Sequence, residues 1–254
     1  MTGRLTVIGL GPGDARSLTP QADAALAAAE AIYGYRAYLD RVPVRPGQAR
    51  HPSDNREEQA RAAAALGHAA NGANVAVVSG GDPGVFAMAA TVCAEIEAGP
   101  PVWRELDVAI VPGITAMLAV AARVGAPLGH DFCALSLSDN LKPWELIEQR
   151  LEAAAGAGFV IAIYNPVSRA RPWQLGAAFD RVERLLPQST PVVFGRAIGR
   201  ADERVDVTTL GAAKSISADM ATLVIVGSAD TRIVARQGRT PLVYTPRAVA
   251  RADA

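Results

Sequence analysis

Short apolar runs that end in glycine, each followed by a helix signal, dominate this chain and restrict it to the α/β class. The first run is Arg4-Leu5-Thr6-Val7-Ile8, which stops at Gly9. Thr19-Pro20 then supplies a helix cap with proline at the first helical position, opening an Ala-rich helix over 21–29. Further strands are predicted at 31–33, 74–79 and 107–111, and helices over 54–69, 84–96 and 114–124. Asp54 and Glu57 have the spacing of a capping box. The second half repeats the alternation, with strands at 132–135, 159–163, 191–194 and 221–226 and helices over 143–155 and 172–186. Short segments at 204–208, 232–234 and 242–244 have tight connections, which predicts antiparallel pairing late in the chain. Alternating strands and helices imply parallel βαβ units. We expect two α/β domains, 1–120 and 121–246, the first sheet mainly parallel and the second mixed, with 247–254 as a tail.

Composition narrows the function. With 254 residues, half of them hydrophobic, the chain is long enough for two cores. Lys+Arg and Asp+Glu both number 25, so no bulk charge draws it to nucleic acid. Its two cysteines, Cys93 and Cys133, form no C-x-x-C pair, which predicts a reducing compartment. The three histidines, His51, His68 and His130, lack metal-ligand spacing, so no metal is expected. His51 and His68 read as ordinary residues, and His130 as a turn residue. The apolar run near the N-terminus is too short for a signal peptide. The longest uncharged stretch, 108–122, is broken by Pro112-Gly113 and falls short of the ~20 apolar residues of a membrane span. A soluble, cytoplasmic protein is the expectation.

The glycines fall where ligands bind in open α/β sheets, outside the carboxyl ends of strands. Three loops stand out: Gly9-Leu10-Gly11-Pro12-Gly13-Asp14, Ser79-Gly80-Gly81-Asp82-Pro83-Gly84 and Val111-Pro112-Gly113-Ile114-Thr115-Ala116. A dinucleotide site fails, because the third glycine of G-x-G-x-x-G is replaced by Asp14, whose charge repels a pyrophosphate. A P-loop fails because no Gly-Lys-Ser/Thr occurs. A ligand without phosphate, carrying a sulfonium, an ammonium and an adenosine, suits such loops better. Each loop taken singly also reads as an ordinary βα turn.

In this order the motifs resemble those of the tetrapyrrole methylase family: G-x-G-P-G-D at Gly9–Asp14, L-T-x-x-A at Leu18, Thr19 and Ala22, S-G-G-D-P at Ser79–Pro83, and P-G-x-T/S-A at Pro112–Ala116. The likeness extends to about Gly227. It implies two α/β domains with S-adenosylmethionine in the cleft between them, a small tetrapyrrole substrate, and a homodimer. It also implies cofactor contacts from Pro12, Gly80, Gly81, Asp82, Val85, Thr115 and Ala116, and from Asn165, Arg196, Ala197, Thr222 and Leu223. Two further stretches, Ser138-Asp139-Asn140-Leu141-Lys142-Pro143-Trp144 and Tyr164-Asn165-Pro166-x-Ser168-x-x-Arg171, are similar to one branch of the family. Its members methylate ring carbon 17 and contract the macrocycle. With no cysteine-rich extension, a metal-free substrate of the oxygen-dependent pathway fits that branch here. Other tetrapyrrole methylases, and a non-catalytic carrier of the same ligands, would use the same loops.

Ring contraction requires a proton acceptor and an electrostatic stabiliser. The candidates are Asp14, Asp139 and Tyr164. Asp14 serves equally well as a turn cap, and Asp139 as part of a turn. Ser138, Asn140, Arg169 and Arg171 are candidates for holding the substrate, the arginines through forked bonds to its carboxylates.

Overall fold

The computed structural model describes residues 3–248, so most of the expected tail lies outside the described residues. The chain divides into two compact units, 1–116 and 117–254. Among the described residues no helix is long and apolar enough to cross a membrane.

The first unit contains β1 (Arg4–Gly9), α1 (Pro20–Ala28), β2 (Ala31–Tyr35), α2 (Arg36–Leu39), β3 (Ala49–Ser53), α3 (Glu58–Ala70), β4 (Asn74–Ser79), α4 (Met88–Ala98) and β5 (Asp107–Val111). The strands form one sheet in the order β3-β2-β4-β1-β5, every pair parallel. Alternate side chains go to opposite faces. Leu5, Val7, Val75 and Val77 pack with α3 and α4, while Ile8, Ala76 and Val78 pack with Ala22 and Leu26 of α1. The neighbours β1 and β4 thus lead into helices on opposite faces. Such a switch point opens a crevice at the strands' carboxyl ends.

Thr19 caps α1 as expected, its Oγ1 accepting the Ala22 N–H at 3.1 Å with Pro20 first in the helix. The capping box at Asp54 is only half made. Glu57 Oε2 accepts the Asp54 N–H at 2.7 Å, but Asp54 Oδ1 turns to the Asn55 N–H and α3 begins only at Glu58. Strand β3, Ala-Arg-His-Pro-Ser, has no apolar alternation and escaped the sequence reading. It is an edge strand, where polar residues and Pro52 are tolerated. Buried Arg61 pins its end to α3, donating to Ser53 Oγ at 2.7 Å and to the Asp54 carbonyl at 2.6 Å.

His51 and His68 are less ordinary than expected. His51 stacks on Tyr33 with ring centroids 4.2 Å apart, and Tyr33 Oη shares a 3.2 Å hydrogen bond with His68 Nδ1. Burial, and then the neighbouring His68, hold the His51 imidazole below the usual histidine range. The unfolded chain therefore takes up this proton first as pH falls. Stability should decline from about pH 6.5 down to the lowered folded value and level off beneath it, at no more than ~1.4 kcal/mol per pH unit. Urea melts between pH 7.5 and 5 test this, because His51→Phe, which keeps the stack, should flatten that part of the slope. An unchanged slope would remove His51 as its source.

Helix α5 (Ala116–Val124) leads into the second unit, which continues with β6 (Gly125–Ala126), β7 (Phe132–Ser136), α6 (Trp144–Gly156), β8 (Val160–Tyr164), α7 (Gln174–Val182), β9 (Pro191–Arg196), β10 (Arg204–Thr209), α8 (Leu210–Ala213), β11 (Thr222–Val226), β12 (Arg232–Val234) and β13 (Leu242–Tyr244). Its main sheet is mixed, in the order β10-β9-β11-β8-β7, and a small sheet joins β12, β13 and β6. The expected helix over 172–186 is shorter, because Pro172 precedes it and Trp173 is its cap. Ile147, Leu151, Phe179 and Val182 of α6 and α7 fill one face of the main sheet. Strand β11 is antiparallel to both β8 and β9, so β8 and β9 run the same way, and β7 is parallel to β8. The carboxyl ends of β7, β8 and β9 and the start of β11 therefore share one edge.

Candidate active site

In the first unit the three glycine loops interlock. Gly11 and Gly81 exchange backbone hydrogen bonds, Gly11 N–H to Gly81 O at 3.1 Å and Gly81 N–H to Gly11 O at 2.9 Å. A Cβ on Gly113 would lie 2.3 Å from Gly81 O, and one on Gly9 would lie 2.6 Å from the Gly113 nitrogen. Real Cβ atoms do not approach backbone this closely, so glycine is required where the loops cross. Asp82 fastens the crossing: Oδ1 accepts the Gly84 N–H at 2.8 Å and Oδ2 the Gly113 N–H at 3.0 Å. Gly81 lies at φ +67°, with Thr115 Cα 3.7 Å and Ala116 N 3.9 Å from the place of its missing Cβ. The junction thus gathers Gly80, Gly81, Asp82, Thr115 and Ala116, while half-buried Pro12 and Val85 lie on the first and second loops.

Two braces were missed in the sequence. The ring of Tyr38 lies 2.7 Å from where a Cβ on Gly80 would be. Arg41 Nη2 donates to the carbonyls of Leu10 and Gly11, both at 2.9 Å. Neither residue belongs to a recognisable motif, and the pattern around them gave no signal.

Asp14 has a structural duty. Its Oδ1 accepts the Arg16 N–H at 2.8 Å, and its Oδ2 pairs with the Arg16 guanidinium at 2.5 Å. The turn-cap reading thus describes its contacts within the loop. A cavity of about 540 Å³ also opens at the ends of β2 and β3, lined by Tyr35, Arg36, Asp40, Ser53, Asp54 and Glu57 among others. Three carboxylates against one guanidinium make it a poor seat for an acidic ligand.

In the second unit, the carried-over residues line one edge. Thr222 pairs with Arg196, Leu223 with Gly195 and Ser136 with Tyr164, and continuing the β11–β8 register brings Thr222 level with Asn165. Asn165 (φ +50°) and Ala197 (φ +50°) sit directly after β8 and β9 in the left-handed region, and Phe86 (φ +52°) lies there too, two residues before α4 in the first unit. Non-glycine residues held in this strained region cluster at ligand sites. Asn165 Nδ2 donates to Ser136 Oγ at 2.9 Å, joining the ends of β7 and β8. Ser138 N–H donates to the same oxygen at 3.3 Å. Tyr164 Oη accepts the Met117 N–H at 3.2 Å, satisfying one of the open amides at the start of α5.

Several expected ligand groups are already engaged. Arg171 Nη1 is bonded to Asp139, and the two side chains are mostly buried. Arg196 is split between Asp202 at 2.7 Å and Asp219 at 2.8 Å, two bonds that raise its pKa. Thr222 Oγ1 donates to Asp219 Oδ1 at 2.9 Å, its N–H donates to Asp219 O at 3.1 Å, and the Leu223 side chain is buried. Ser168 and Arg171 pair across a tight turn, with Arg169 exposed at its tip. Asn140 is also exposed. His130 Nδ1 accepts the Asp131 N–H at 2.7 Å, as a turn residue does. Burial pushes the Cys133 thiol pKa up, away from thiolate chemistry.

Comparison with known proteins adds to this geometry. Residues 4–214 match the family of Tetrapyrrole (Corrin/Porphyrin) Methylases. Over 247 residues the chain is 63% identical to a precorrin-3B C(17)-methyltransferase from Sinorhizobium sp, covering 97% of each protein. It is similar to the crystal structure of the methyltransferase CobJ, with a TM-score of 0.89 and 47% identity over 96% of this chain and 100% of that one. A uroporphyrin-III C-methyltransferase from Thermus thermophilus, solved in complex with S-adenyl homocysteine, shares the fold. Its TM-score is 0.68 and its identity 23%, over 89% of this chain and 97% of that one.

Proposed function

Because the chain belongs to the tetrapyrrole (corrin/porphyrin) methylase family, we propose that it methylates precorrin-3B at C-17 and contracts the ring to precorrin-4. The step belongs to aerobic cobalamin biosynthesis. The observation that carries this reading is 63% identity to a precorrin-3B C(17)-methyltransferase over nearly the whole of both chains.

The residues present fit S-adenosylmethionine. The three glycine loops hold no Lys or Arg, and their crossing presents backbone rather than side chains. Carbonyls and amides suit a ligand with a sulfonium, an ammonium and one carboxylate. When bound, S-adenosylmethionine supplies the methyl group from its sulfonium. Pro12, Gly80, Gly81, Asp82, Val85, Thr115 and Ala116 hold it in the first unit, Asp82 by shaping the loops. Asn165, Arg196, Ala197, Thr222 and Leu223 are the second unit's candidates for cofactor contacts, along its own strand edge.

Placing the ring carbon in line with the methyl is a proximity effect. Contraction needs a base at the ring hydroxyl, for which Asp14 is the candidate, and Tyr164 orients the substrate through its phenol. The Asp139–Arg171 pair ties together the loops after β7 and β8, so that Ser138 and Asn140 meet the substrate with polar groups. Arg169, exposed at its turn, takes a carboxylate arm. The protein works in the cytoplasm as a homodimer of two-domain subunits.

Mass spectrometry of the protein with precorrin-3B and S-adenosylmethionine tests the reading. One methyl gained by the pigment, with S-adenosylhomocysteine released, is the expected result. Methylation of uroporphyrinogen III in place of precorrin-3B would move the chain to another branch. Binding of S-adenosylmethionine without turnover of any pigment would make it a carrier.

A further inference from the structure

We infer that Arg41 is a positioning residue for the methyl-donor site, acting through the carbonyls of Leu10 and Gly11. The inference rests on the methyl-donor reading of the glycine loops. The first loop depends on the orientation of two peptide units. In the peptide joining Leu10 to Gly11, the N–H donates to Gly81 O at 3.1 Å while the carbonyl, pointing the opposite way, accepts Arg41 Nη2 at 2.9 Å. Both ends of that unit are therefore held. In the next peptide, Gly11 O accepts two donors, Arg41 Nη2 and the Gly81 N–H, each at 2.9 Å. Pro12 follows and has no N–H to hold the far side of this unit. Gly11 itself lies at φ +67°, a region glycine leaves as readily as it enters. Arg41 Nη2 thus joins the Gly11–Gly81 backbone pair in fixing this loop, and it is the side-chain donor to both carbonyls.

That nitrogen comes from a firm base. Arg41 follows α2 in a turn closed by Arg41 N–H to Tyr38 O at 3.1 Å and Val42 N–H to Leu39 O at 2.9 Å. Leu39 and Val42 are buried in the core. Arg50 of β3 donates to the carbonyls of both, at 3.0 Å to Val42. A site is held in its working geometry when the groups around it are themselves locked. Arg41 does not bind the methyl donor in this account; it fixes the backbone that does.

The test compares Arg41→Met, which keeps the apolar stem, with Arg41→Lys and wild type. Calorimetric titration with S-adenosylhomocysteine and steady-state kinetics in both substrates are the readouts. Arg41→Met should weaken S-adenosylhomocysteine binding and raise KM for S-adenosylmethionine about ten- to a hundredfold, the range for a charged hydrogen bond. KM for the tetrapyrrole should stay within about twofold, since Arg41 acts through the Leu10 and Gly11 carbonyls and not through the side chains assigned to holding the substrate. Arg41→Lys should recover part of the loss, as an ammonium supplies the charge without the fork. In Arg41→Ala, millimolar methylguanidinium should restore donor binding. Unchanged S-adenosylhomocysteine affinity in Arg41→Met would overturn the inference. So would equal loss of both substrates with no rescue by Lys or methylguanidinium, which marks a fold defect. If wild type binds no S-adenosylhomocysteine at all, the methyl-donor reading itself falls, and the inference with it.

Discussion

Gly113→Ala should abolish measurable S-adenosylhomocysteine binding and lower the thermal midpoint of the protein. The added methyl would sit 2.3 Å from Gly81 O and 2.9 Å from Gly9 Cα. Both contacts are to backbone, so no rotamer change relieves them, and one of the three loops must move away. Overpacking in a well-filled site costs about 1–3 kcal/mol, and backbone contacts belong at the upper end. The damage falls on the crossing itself, so binding should suffer more than stability. Gly67→Ala is the matched comparison. Gly67 lies inside α3 with nothing within 4 Å of its missing Cβ. There the same substitution should stabilise by about 0.5–1 kcal/mol through helix propensity. Differential scanning calorimetry and titration on the two variants give the answer. A Gly113→Ala protein that binds like wild type would show that the loops have slack the contact distances deny.

The glycine loops were legible because their cause is local. A strand that ends at a backbone crossing needs small residues there, and the sequence writes this as Gly9, Gly81 and Gly113. The apolar strands were legible for a similar reason: burial on both faces leaves runs such as Val75-Ala76-Val77-Val78. Strand β3 was not, since an edge strand is free to be polar. The site's supporting contacts were harder still. Asp139 and Arg171 are 32 residues apart, Arg41 and Leu10 31 apart, and nothing in either segment records the other. Arg171 reads from sequence as a cation for an acidic substrate, and Arg196 as a cofactor contact implied by the family resemblance. The fold gives Arg171 one carboxylate and Arg196 two, because in folded chains arginines are satisfied by partners that periodicity does not name. The left-handed residues Phe86, Asn165 and Ala197 carry no sequence mark, as none is glycine.

Asp82→Asn should reduce S-adenosylhomocysteine affinity by about thirtyfold and lower stability, on the order of 2 kcal/mol for the loss of one charged acceptor. The carboxylate has two oxygens, and each accepts a backbone N–H, one from its own loop and one from the third. An amide keeps one acceptor and turns an NH2 against the other donor, so the two loops can no longer both be held. Asp82→Ala removes both bonds and should cost more. The ligand-free protein distinguishes this from direct recognition of the donor's ammonium. If Asp82 acts by binding the ligand, its replacement weakens binding and leaves the unliganded melting temperature alone. If it fastens the loops, the unliganded protein melts earlier as well. A cycle with Gly113→Ala sharpens the distinction, because Gly113 carries the N–H that Oδ2 accepts. Once alanine has displaced that amide, removing Asp82 has less left to break. The two losses should then sum to more than the double variant shows, by about 0.5–3 kcal/mol. Strict additivity in that cycle would separate Asp82 from the crossing and return it to the ligand.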